Sequence, residues 1–313
     1  MSTLTSTAAR SVPLADRERR HRFWLGVCIV ATVALGLALA AYGFDYYTLA
    51  RGERAFSPKH ALLKPTGSIG LRLGMLGFLI FLLVYLYPIR KRWGWLGKQG
   101  SSRHWLDFHI LLGLAGPMVI SFHSSFKFHG LAGVAYWIMM AVALSGLIGR
   151  YIYAQIPRSL SATEMTLQEA RERSAKLAHQ LSTQMILPKF ALERLLQMPE
   201  ASRVQSASLL SALGMMIRLD LSRPFQAWSL RRRVLGLHGA PWTLVGFRRI
   251  DSAPVEAAIA TAREQAALSK KILFLSKTQR IFHLWHVVHR PFSYSFALLA
   301  TIHVLVALML GYY

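Results

Sequence analysis

Five apolar blocks constrain this chain more than any other feature, because each is near the length a helix needs to cross about 30 Å of hydrocarbon. The first, Phe23 to Gly43, carries no charge in 21 residues. The others run from Leu73 to about Ile89, Trp105 to about Phe126, Leu131 to Ile148, and Pro291 to Tyr313. In lipid a backbone must satisfy its own hydrogen bonds, so blocks of this kind read as helices. Only 16% of residues are charged, against roughly 25% in ordinary soluble domains. That excludes a disordered chain and a plain cytosolic enzyme. The expected fold is an all-α integral membrane protein: a five-helix transmembrane bundle with a helical cytoplasmic insertion between helices 4 and 5.

The expected segments are 1–22, a cytoplasmic N-terminal stretch; 23–154, the first four crossings; 155–282, the insertion; and 283–313, the fifth crossing. Block one is expected to be retained and not cleaved as a signal peptide, since its apolar run exceeds a usual signal core. The net charge is +23. Most basic residues flank or connect apolar blocks, so the partner they imply is anionic lipid and not nucleic acid. Residues 1–22 hold five Lys/Arg, and the short 90–103 connection holds five more, Arg90, Lys91, Arg92, Lys98 and Arg103. This density places the N-terminus in the cytoplasm and the C-terminus outside a bacterial-type inner (plasma) membrane. The residues from 150 to 290 hold 21 Lys/Arg against nine Asp/Glu. They read as amphipathic helices, over Met165–Met185, from Pro188 into Lys189–Met198, and as one long helix from Pro254 to Phe282. No nucleotide or phosphate fingerprint appears among them. The single cysteine, Cys28, rules out an intrachain disulfide, a Cys-ligated cluster and a CxxCH haem attachment.

Four of the twelve histidines stand apart by position. His109 and His123 lie on the third block, His289 and His303 on the fifth, and both pairs are 14 residues apart. Fourteen helical steps return to within about 40° of the starting direction and rise about 21 Å. Each pair therefore faces one way, with one histidine toward each side of the bilayer. Blocks three and five run in the same direction, so packing them together sets His109 level with His289 and His123 level with His303. Two imidazoles at each of two depths suit the axial positions of two b-type haems. Gly116, midway between the block-three histidines, leaves room for a porphyrin, as Gly113 does. Phe296, midway on block five, reads as an apolar wall between two macrocycles. The implied activity is transmembrane electron transfer.

This arrangement resembles the transmembrane di-haem b-type cytochromes, in particular the ferric reductase and NADPH oxidase membrane domain. That family carries histidine pairs at about this spacing on its third and fifth helices. The resemblance covers roughly 23–150 and 283–313. The family's reductases usually carry a flavin and nicotinamide domain, of which these residues show no fingerprint, and the insertion is a second departure. The stretch from His123-Ser-Ser-Phe-Lys-Phe-His-Gly130 through Gly146-Leu-Ile-Gly-Arg150-Tyr-Ile-Tyr also resembles a group of bacterial membrane proteins.

Other side chains are secondary candidates. His286 is an alternative ligand to His289, but its 17-residue distance to His303 does not match block three. Arg150 and Arg290 are candidate partners for the propionates of the inner haem, and Lys127 for those of the outer one. Asp107 is a candidate proton acceptor or histidine-orienting group. Tyr46, Tyr47, Trp93, Trp95, Trp105, Tyr151 and Tyr153 fit an interfacial aromatic belt. A quinone or a soluble or membrane redox protein is the expected exchange partner. Two rival readings are a self-contained ferric or metal reductase using His60 and His129, and a non-haem transporter or scaffold whose histidines bind protons or metal.

Overall fold

The structure is a computed structural model that describes residues 5–157, 166–184, 186–187, 189–234 and 252–312. Among these residues every regular element is helical. In chain order they are α1 (Thr5–Thr48), a 3-10 turn (Glu53–Phe56), α2 (His60–Leu63), α3 (Ser68–Arg90), α4 (Gly94–Gly97), α5 (Ser102–His123) and α6 (Gly130–Ala154). There follow α7 (Leu167–Thr183), α8 (Lys189–Leu196), α9 (Ala201–Ser206), α10 (Leu209–Val234), α11 (Ala253–Leu273) and α12 (Leu275–Met309). Among the described residues five stretches are long and apolar enough to cross a membrane: Asp16–Thr48, His60–Arg90, Ser102–His123, Gly130–Ala154 and Leu275–Met309. Each contains one of the five apolar blocks or most of it. Four extend well past their block, because flanking Arg, Glu and Ser residues continue the helix without being apolar.

The chain divides into two compact units, Met1–Ile148 with Val288–Tyr313, and Gly149–Val287. In the first, α3 and α5 pack over Leu73, Ile80, Ala115, Val119 and Phe122, with Leu35, Leu39 and Ala40 of α1 against them. α1 comes close where Gly36 has no side chain, since a Cβ there would lie 2.7 Å from the Met118 sulfur.

Two buried arginines close the connections of this unit. Arg90 donates to the carbonyls of Gly97 and Gly100, both at 2.9 Å, and to the Ser102 hydroxyl at 3.0 Å. The 91–101 connection is therefore folded back onto the end of α3. Arg54 donates to the carbonyls of Leu49 (3.1 Å), Ser125 (2.6 Å) and Tyr47 (2.7 Å). Block three was expected to run to Phe126, but α5 stops at His123. Ser125 and Phe126 take φ of 50° and 59°, a left-handed turn that ends the helix. That turn is held by Arg54 and by the Ser125 hydroxyl, which donates to Leu63 O at 2.6 Å. The same packing places Tyr46 in the protein interior, fully buried, and not in a lipid-facing belt.

The second unit has its own core, including Leu181, Leu195, Leu230, Val255, Ile259 and Ala262. Thr166 and Glu169 form a reciprocal capping box that starts α7, satisfying two otherwise unpaired amides. Met165, Met185 and Pro188 lie outside the described residues. The helix expected over 254–282 is broken at Phe274. That side chain is fully buried with Val204, Ala212 and Met216, and burying it ends α11 and restarts the chain as α12. A polar cluster gathers at Asp220, which accepts from Lys270, from the Tyr151 hydroxyl at 2.8 Å and from Gln155 at 3.3 Å. Burial pushes the Lys270 amine below its ordinary range, against the pull of Asp220 in the other direction.

Candidate functional site

Four helices of the first unit enclose one cavity of about 540 Å³. α5 borders α3 through the core already described and α6 through Ser121 and Tyr136, whose hydroxyls lie 2.9 Å apart. α12 borders α3 through Tyr85, which donates to Ser293 O at 2.5 Å, and through an edge-on contact of Phe81 with Phe296. It borders α6 through His289 and Ser145, 2.7 Å apart. The ring order is thus α3, α5, α6, α12, which sets α5 and α12 diagonally across the cavity. The third and fifth crossings, expected to pack together, face each other across a space instead. A porphyrin iron requires such a gap, because its two axial ligands reach it from opposite sides.

His109, His123, His289 and His303 all line this cavity, as do Gly113, Gly116 and Phe296. The helix α3 serves as a ruler for their depth. His109 Nδ1 lies 3.0 Å from Val84 O, and His123 Nδ1 lies 2.8 Å from Gly70 O. Residues 70 and 84 are 14 apart, the same separation as the two histidines. Tyr85, beside Val84, holds Ser293, one helical turn from His289. His289 therefore sits near the His109 level. α12 runs antiparallel to α3, from Tyr85 against Ser293 to Phe81 against Phe296, so His303, fourteen residues past His289, falls near the His123 level.

The hydrogen bonds also fix which ring nitrogen faces the cavity. A carbonyl only accepts, so Nδ1 of His109 and of His123 must carry the proton. The Ser145 hydroxyl donates to Val142 O at 2.8 Å and leaves its oxygen to accept from His289 Nδ1. A neutral imidazole whose Nδ1 carries the proton has its lone pair on Nε2. A ring whose far nitrogen donates to a carbonyl or hydroxyl is oriented and made a better metal ligand.

Room for a flat macrocycle comes from missing side chains. Gly74, Gly77, Gly113, Gly116 and Gly146 line the cavity from α3, α5 and α6. Gly113 has nothing within 4 Å of where a Cβ would stand. Gly74 is bare for another reason: its Cβ would lie 2.7 Å from Cε1 of His123. The volume falls within the ~300–1,000 Å³ of organic-ligand pockets. Among the described residues no three His, Cys, Asp or Glu side chains converge on a common point, as the full ligand set of a bare metal ion would. The histidines come as pairs, the number of axial positions a porphyrin leaves open. The residues present fit a haem.

The remaining candidates fall elsewhere. Lys127 lines the cavity at the His123 end. Arg150 belongs to the second unit, and Arg290 is exposed beside His289; neither is a lining residue. His286 bonds Phe282 O at 3.2 Å in the second unit. Asp107 accepts from His21 at 3.2 Å. His21 stacks on His104 with ring centroids 3.7 Å apart. His60 engages the Tyr46 hydroxyl at 3.2 Å, and His129 is exposed. Sequence reasoning missed Gly70, Gly74, Val84 and Ser145, the groups that orient the rings. The available signal was Gly70, Gly74 and Gly77 on one helical face, with a proline four residues after Val84. Comparison with family models, with curated proteins and with solved structures finds no match.

Proposed function

We propose that this protein is an integral membrane cytochrome that carries single electrons across a bilayer, with one b-type haem held by His109 and His289 and a second by His123 and His303. The observation that supports it is the lining of one cavity by all four histidines at two levels, with Nδ1 of three of them already committed. When bound, haem supplies the one-electron chemistry that side chains lack. The chain's own part is to present Nε2 of each ring, to keep the two levels ~21 Å apart along the helices, and to exclude water with Ile80, Phe81 and Phe296 between them. Lys127 is placed to pair with an acidic substituent at the His123 level. The five crossings belong to an inner membrane with the N-terminus inside, and the 155–282 insertion lies in the cytoplasm. A quinone dissolved in the bilayer, or a partner redox protein, exchanges the electrons.

The test is a dithionite-reduced minus oxidised spectrum of the purified protein, with haem and protein both quantified. Two haems per chain with bis-imidazole low-spin bands are expected. A preparation from a haem-sufficient host with no Soret absorbance refutes the proposal.

A further inference from the structure

Pro88 stands inside α3. Proline has no N–H, so the carbonyl four residues earlier loses its helical donor. That carbonyl belongs to Val84. A buried carbonyl left without a donor costs about 1–3 kcal/mol, and the donor it receives comes from another helix. His109 Nδ1 lies 3.0 Å away, and its ring packs against Tyr87 with centroids 5.1 Å apart. Gly70, which serves His123 in the same manner, is followed four residues later by Gly74, which keeps its N–H. The Gly70 carbonyl therefore has an N–H four residues on to share with the ring, whereas the Val84 carbonyl has none at that position.

We propose that Pro88 is a positioning residue for the His109–His289 level: by removing the helical donor from Val84 it reserves that carbonyl for His109 Nδ1–H, which fixes Nε2 as the ligand and strengthens its donation to iron. The inference rests on the haem reading above. An unshared acceptor pulls harder on the Nδ1 proton, and a more electron-rich imidazole stabilises the oxidised iron. Pro88→Ala restores the competing N–H. It should raise the midpoint potential of one haem, the one that His109→Ala removes, and leave the other in place. Loss of that haem to an apoprotein acceptor should accelerate ~10-fold or more, the usual scale for a lost orienting bond.

A proline also bends a helix, so the experiment needs a second variant. Replacing residue 88 with lactic acid, the hydroxy-acid counterpart of alanine, removes the N–H again without restoring the ring. Spectroelectrochemical titration of the full-length protein in nanodiscs compares the wild type, Pro88→Ala and the ester variant. The expected result is a shifted potential in Pro88→Ala and a return toward wild type in the ester. If the ester stays with Pro88→Ala, the bend matters and the proposal is overturned. Two haems with unshifted potentials in Pro88→Ala overturn it as well, and leave the haem reading standing. A wild-type protein without haem overturns both.

Discussion

Substituting Gly74 by Ala tests the site with the smallest possible change. In an ordinary helix interior the exchange stabilises by about 1 kcal/mol. Here the new methyl would stand 2.7 Å from Cε1 and 2.8 Å from Nδ1 of His123. Carbon atoms settle near 3.5 Å or more, so the ring must retreat by about 0.8 Å. His123 is held to Gly70 O at 2.8 Å. A retreat of that size stretches the contact to as much as about 3.6 Å, where a hydrogen bond no longer counts. Overpacking costs about 1–3 kcal/mol and an unpaired ring N–H about 1–3 kcal/mol. Against the helix gain, the net is a destabilisation of about 1–5 kcal/mol. Haem-to-protein ratio and thermal melting are the assays. The expected outcome is a ratio falling toward one, with the surviving haem that of His109 and His289, and a lower melting temperature. Gly26→Ala is the control, since nothing lies within 4 Å of its Cβ position; it should leave the spectrum unchanged. A Gly74→Ala protein with two haems and an unchanged or higher melting temperature refutes the reasoning.

Other expectations follow from the same geometry. His109→Ala and His303→Ala should each halve the haem content but remove different haems, told apart by potential; loss of the same one from both would break the pairing. Gly113→Phe fills open cavity space and should lower haem occupancy without unfolding the protein, measured as Soret absorbance beside an unchanged far-ultraviolet helix signal. Arg54→Met leaves three carbonyls without their charged donor. At about 1.5–3 kcal/mol for each such bond, partly recovered by water, the melt should fall by several kcal/mol, and a wild-type melt would contradict the stapling role. Burial holds Lys270 below its ordinary value, so the folded protein binds fewer protons than the unfolded one between the lowered and the ordinary pKa. Stability of the 149–287 unit should therefore rise with pH across that alkaline window, checked by denaturant titration against Lys270→Met, whose slope should be flatter.

The sequence alone determined the helices and the histidine phase. Uncharged runs of about 20 residues have one viable conformation in hydrocarbon, and a 14-residue interval fixes direction and rise by helix geometry. What it left open was anything that depends on which helices are neighbours. His109 and His289 are 180 residues apart, and no periodicity on one helix says which partner stands opposite or how wide the gap is. The break at Phe274 and the stop at His123 were hidden for the same reason, since each is set by what packs against it from far along the chain. Only the tertiary structure showed that α3, which carries no candidate ligand, orients the rings through Gly70 and Val84. A backbone carbonyl leaves no mark in the amino-acid code until a proline takes its donor away.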